Sequence, residues 1–100
     1  MIVTFSTSKL KKEYTDSKKA IKAYGIIVAR KYIQRISIIK VAKDIEELLQ
    51  LPGLGCHPLK GDRLGQYSIK LTNRFRLIFF LVGSQMEIVS IKEVSNHYGD

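Results

Sequence analysis

One cysteine, Cys56, and two histidines, His57 and His97, are all that this chain of 100 residues holds of those two types. A single cysteine cannot close an intramolecular disulfide. With only one histidine beside it, it also makes no zinc-ligand set at useful spacing, so neither a covalent staple nor a metal is expected to hold the fold. Cys56 is expected to be a small buried filler. Long apolar runs are missing too. The longest, Leu77 to Val82, suits a strand and falls far short of a membrane span. The opening MIVTFSTSKLKK has no basic region ahead of an apolar core and no cleavage site, so export is not expected and the cytoplasm is the default. Repeats and low-complexity segments are absent as well.

Acidic residues are scarce. Nine Asp and Glu against 17 Lys and Arg leave a net charge of +8, and the sequence pI is near 9.8. A small domain this basic attracts polyanions, which leaves RNA, DNA, anionic lipid or an acidic partner as candidate ligands. Residues 1–50 carry 11 of the cations against 5 acids, and residues 51–100 carry 6 against 4. The expected docking surface is therefore the helical first half, with Lys9, Lys11, Lys12, Lys18, Lys19 and Lys22 as candidate RNA contacts. At this length the chain supports one core, so residues 1–100 are read as a single domain.

Ile2 to Phe5 is a β-branched and aromatic run that ends at Ser6, Thr7 and Ser8, a strand followed by a helix cap. Thr15, Asp16 and Ser17 offer a break or a fresh cap, and Gly25 marks a second interruption. From Val28 the apolar residues Val28, Tyr32, Ile36, Ile39, Ala42, Ile45 and Leu49 recur at helical spacing and predict the main packing stripe. Asp44 with Glu47 predicts a capping box that restarts a short helix before Pro52 and Gly53. After Gly55 the period drops to two. Tyr67, Ile69 and Leu71 alternate with Ser68, Lys70 and Thr72, and Phe75 to Val82 reads as a central strand. Gly83-Ser84 predicts a two-residue turn into a last strand from Met86 to Val94. This order gives an α+β domain, its N-terminal strand and helices packed on one face of a twisted, mainly antiparallel sheet.

Cutting RNA without a metal needs a base for the ribose 2′-OH, an acid for the departing 5′-oxygen, and cations for the charge building on phosphorus. His57 and His97 are the side chains whose ordinary pKa lies nearest neutrality. Lys60, Arg63 and Arg76 are candidate phosphate clamps, Arg74 is a further RNA contact, and Tyr98 can stack on a base or donate a proton. Arg76 stands out because a cation inside an apolar strand costs free energy unless it meets a partner or a solvated site; its structural alternative is an ion pair with Glu87 or Glu93. Gly61 and Asp62 are expected to make a turn, and Tyr67 to pack in the core.

The segment His57 to Phe80, HPLKGDRLGQYSIKLTNRFRLIFF, together with EVSNHY from Glu93 to Tyr98, resembles the HigB branch of the RelE/ParE superfamily. These are bacterial toxins encoded beside an antitoxin. The resemblance implies a RelE-like fold that enters the ribosomal A site and cleaves mRNA without metal or cofactor, leaving a 2′,3′-cyclic phosphate and a 5′-hydroxyl. By position, His57 and Lys60 match the His and Lys of the family's HPLKG segment, and Arg76 matches its strand Arg. Many members end in Asp-Tyr-His, whereas this chain has Asn96-His97-Tyr98, which reverses or shifts the two C-terminal active side chains. The implied partners are a cognate antitoxin, a HigA-like helix-turn-helix protein, the ribosome with its A-site mRNA, and, through the antitoxin, promoter DNA; no membrane is implied. Two other functions share the scaffold: a ParE-like inhibitor of DNA gyrase, and a non-catalytic basic module of a promoter-bound repressor complex.

Overall fold

The computed structural model of the chain describes residues 1–96. Local caps set the first boundaries. Strand β1 (Ile2–Phe5) gives way to α1 (Ser8–Thr15) where the Thr7 hydroxyl accepts from the Leu10 N–H at 3.2 Å. That N–H is one of the donors a helix start leaves without an internal partner. Asp16 does the same for α2 (Ser17–Tyr24), its carboxylate accepting from the Lys18 N–H at 3.1 Å. Gly25, at φ 81°, turns the chain into α3 (Ile26–Val41). Helix α4 (Ile45–Gln50) begins as expected at Asp44, which accepts from the Glu47 N–H at 3.0 Å, while the Glu47 carboxylate reaches back to the Lys43 N–H at 3.3 Å.

The apolar stripe does not run through one phase. Val28, Tyr32, Ile36, Ile39 and Ala42 are buried as expected, but Ala42 is already extended backbone, at φ −62° and ψ 142°. That break resets the helical phase, so Leu48 rather than Leu49 is the fully buried residue of α4. Between α1 and α2 a carboxylate is buried: Glu13 accepts the Tyr24 hydroxyl and pairs with Lys9 at 3.5 Å. Burial, then the adjoining Glu13 carboxylate, raise the Tyr24 phenol well above its ordinary range, so it remains a donor to that acid.

Five strands form one sheet in the order β1-β5-β4-β3-β2, with β2 (His57–Pro58), β3 (Gln66–Lys70), β4 (Phe75–Val82) and β5 (Ile88–Asn96). All neighbours are antiparallel except β1, which lies parallel to β5. Tyr32, Ile36 and Ile39 of α3 meet Ile69, Leu77, Phe79, Val89 and Ile91 of the sheet in the core, and Tyr67 stacks on Phe79 at 5.6 Å as a packing residue. The result is the expected α+β domain with its helices on one face. The β4–β5 connection differs from the two-residue turn expected. It spans residues 83–87, with Met86 at φ 55° and the Glu87 carboxylate accepting from the Gln85 N–H at 2.9 Å. Gly83 suits this position because its φ of 95° is one that residues with a Cβ rarely adopt.

Candidate active site

Because helices cover one face, strand residues of the other parity line the opposite face, which is buried at Gln66, Ser68 and Ile78 and accessible toward its margins. The register places them in rows. His57, Ser68, Ile78 and Glu93 lie side by side across four strands; Lys70, Arg76 and Ser95 form the next row. On the other side come Gln66, Phe80, Ser90 and Thr4, and beyond them Val82, Ile88 and Ile2. Thus His57 and Arg76, expected to act together, share a face. They stand two strands and one row apart, about 10 Å across and about 7 Å along the sheet by ordinary strand spacing.

His57 is exposed and held by its own loop, since its Nδ1 lies 3.0 Å from the Gly55 carbonyl oxygen. A carbonyl only accepts, so Nδ1 is the protonated nitrogen and Nε2 is left for proton transfer. Gly55 makes this possible at φ 60°, with Lys70 so close that an added Cβ would sit 3.3 Å from the Lys70 Cβ. Neighbouring Cys56 is half-buried, and burial pushes its thiol up to about 11, which makes it a poor nucleophile at neutral pH. Lys60 is exposed in the loop after β2, at the start of a single 3₁₀ turn (Gly61–Arg63). Gly61 and Asp62 take the turn role expected of them.

A β-bulge shapes the rest of the site. Ile78 faces Glu93 while Phe79 faces Ile91, so Lys92 is an extra residue in β5. Two consecutive charged side chains, Lys92 and Glu93, consequently serve the open face. Glu93 accepts from Arg63 Nη1 at 3.2 Å, and Gln66 Oε1 accepts from both Arg63 Nη1 and Lys92 Nζ at 3.4 Å. Glu93 pairs with Arg63, and the Glu87 carboxylate accepts from the Gln85 N–H in the β4–β5 loop. Arg76 is half-buried between Lys70 and Ser95, and Arg74 is exposed in the turn before β4. Sequence reasoning passed over Gln66, Phe80 and Lys92. The one available signal was the adjacent pair of charges, Lys92-Glu93, in a strand that otherwise alternates.

The six helical lysines are all exposed on α1 and α2, across the sheet from this face, and Lys9, Lys12, Lys19 and Lys22 line a cleft between the two helices. His97 and Tyr98 lie outside the described residues. Among the described residues no three metal-ligating side chains come together, and no helix is long and apolar enough to cross a membrane.

Ser68, next to His57, is fully buried and its Oγ has no hydrogen-bond partner among the described residues. An unpaired buried hydroxyl costs desolvation energy without return. Ser68→Ala is therefore expected to raise unfolding stability by about 1 kcal/mol, read from the urea midpoint; a lower midpoint would show that the hydroxyl is engaged after all.

Comparison with known proteins agrees with this fold. The family model described as the RelE-like toxin of the type II toxin-antitoxin system HigB matches residues 3–96. Among solved structures, a YoeB/ParE toxin from Agrobacterium tumefaciens superposes with a TM-score of 0.65 at 19% identity, over 98% of this chain and 100% of that one. The YoeB-YefM complex from Staphylococcus aureus gives 0.63 at 18% identity, over 98% of each chain. YafQ from E. coli gives 0.61 at 17% identity, over 95% of this chain and 91% of that one. No curated protein matches the sequence. At these identities the solved structures establish the fold, and the family model establishes membership: this chain belongs to the HigB-like, RelE-like toxins of type II toxin-antitoxin systems.

Proposed function

We propose that this toxin is a ribosome-dependent, metal-independent mRNA endoribonuclease that blocks translation and is neutralised by a cognate antitoxin. The observation that carries the reading is the open sheet face on which His57, fixed through Nδ1 by the Gly55 carbonyl, shares space with Arg76 inside an apolar strand. In the proposed reaction a base removes the 2′-OH proton and the 2′-oxygen attacks phosphorus. The P–O5′ bond breaks as an acid protonates the 5′-oxygen, leaving a 2′,3′-cyclic phosphate and a 5′-hydroxyl. His57 supplies one of the two proton-transfer groups and His97 or Tyr98 the other, with Lys60 and Arg76 stabilising the charge on phosphorus. Arg63, Arg74 and the helical lysines Lys9, Lys11, Lys12, Lys18, Lys19 and Lys22 supply attraction to RNA, and ribosomal RNA is the docking surface for the helix layer. An antitoxin partner is supported by family membership and by solved YoeB-YefM complexes of the same fold; we assign a HigA-like helix-turn-helix protein, through which promoter DNA is reached.

Mapping mRNA 5′ ends after induction without antitoxin tests this directly. Cuts should fall within translated codons, and naked RNA should be cut poorly, because a small open sheet borrows substrate positioning from the ribosome. Intact mRNA accompanied by falling supercoiling would replace this reading with gyrase inhibition.

A further inference from the structure

The bulge in β5 brings together groups that the cleavage chemistry does not use. Arg63 and Lys92 both donate to one amide oxygen, Gln66 Oε1, at 3.4 Å. The Glu93 carboxylate pairs with Arg63, at 3.2 Å. Among the described residues, two cations thus converge beside a single acid, Glu93. Beside them the half-buried Phe80 lies on the open face, between Gln66 and Ser90, with the Lys92 ammonium 5.7 Å from its ring centroid. Its neighbour Phe79 points the other way, fully buried in the core. Phe80 therefore keeps partial exposure on the face opposite the helices, beside two cations of which one is already paired to an acid.

We propose that Phe80, Lys92 and Arg63 form a nucleotide subsite, in which one base of a single-stranded RNA stacks on Phe80 and the adjoining phosphate is held by Lys92 and Arg63. This rests on the endoribonuclease reading for its substrate and extends it to a nucleotide flanking the cleaved one. The chemistry fits: aromatic side chains on a sheet stack bases with little sequence preference, and neighbouring cations bind the backbone. Gln66 sets the spacing of the two cations. Glu93 acts as a positioning residue that holds Arg63 over the face and competes with the phosphate for it.

The test is a titration of the protein with a labelled, 2′-O-methylated RNA trinucleotide, which cannot be cleaved. Phe80→Leu and Lys92→Met should each weaken binding about 10-fold, and Lys92→Met should lower the salt dependence by about one counterion. Lys92→Arg should bind like the original protein, which separates loss of the cation from loss of folding. Glu93→Gln should tighten binding, a sign that a merely structural ion pair would not give. In single-turnover cleavage on the ribosome the Lys92→Met and Phe80→Leu effects should fall on the half-saturating concentration, with the maximal rate retained. If wild-type protein fails to bind the trinucleotide, or if Lys92→Met and Phe80→Leu bind as wild type, the subsite is wrong even where His57→Ala abolishes cleavage. If Lys92→Arg binds as poorly as Lys92→Met, the cation role is wrong. If binding and its variant pattern hold while mRNA is never cut, the subsite stands and the endoribonuclease reading falls.

Discussion

Alanine at His57, Lys60 or Arg76 should each lower single-turnover cleavage of ribosome-bound mRNA by at least roughly 10²-fold, the scale expected on losing an acid-base or charge-stabilising group. Ribosome binding should survive. His57 has the clearest case, because its ring is already oriented by the Gly55 carbonyl and needs no reorganisation to present Nε2. Arg76→Lys should rescue only in part, since an ammonium cannot reproduce the two-pronged contact of a guanidinium with a phosphate. At least one of His97→Ala and Tyr98→Phe should be strongly impaired. Variants that fold and bind ribosomes normally yet keep near-wild-type cleavage would reduce these positions to turn and packing residues.

Phe79→Ala should cost about 3–5 kcal/mol of folding stability, read from denaturant melts, as is typical when a buried aromatic is truncated. Domains of this kind have only about 5–15 kcal/mol in total, so the variant should be near the edge of folding at growth temperature. Phe79 has no exposed surface and stacks on Tyr67 with 13° between ring planes, and it sits where the sheet meets α3. Phe80→Ala should cost markedly less, because that ring faces the open side. Equal losses at both positions would contradict the assignment of the two faces.

The features legible in the sequence are those written locally. Thr7, Asp16 and Asp44 announce helix starts because each accepts from an N–H within two or three residues of itself. The alternation from Tyr67 to Leu71 marks Ile69 and Leu71 as core residues but not the burial of Gln66 and Ser68 on the other side of the strand, which depends on distant neighbours. Arg76 stands out as a candidate because its polarity conflicts with its strand. What escaped depends on partners far away in sequence. Lys92 and Glu93 share a face only through the register shift against Ile78 and Phe79, and Gln66 matters only because Arg63 and Lys92 meet on it. Likewise, the seven-residue stripe hid the extended backbone at Ala42, where the chain leaves one helix to start the next.

The parallel pairing of β1 with β5 has a consequence for the order in which this toxin is made. Ile2 finds its partner at Ile88, and Phe5 at Ile91, so the first strand has no sheet to join until nearly the whole described chain has been synthesised. Such long-range pairing is paid for in chain entropy before any contact rewards it, which makes it a late step in folding. Lys92 and Glu93 arrive on that same last strand. A nascent or truncated chain ending before β5 therefore has its helices and the β3–β4 hairpin but neither a partner for β1 nor the Lys92 and Glu93 side chains, so the charged face is assembled only when the final strand docks.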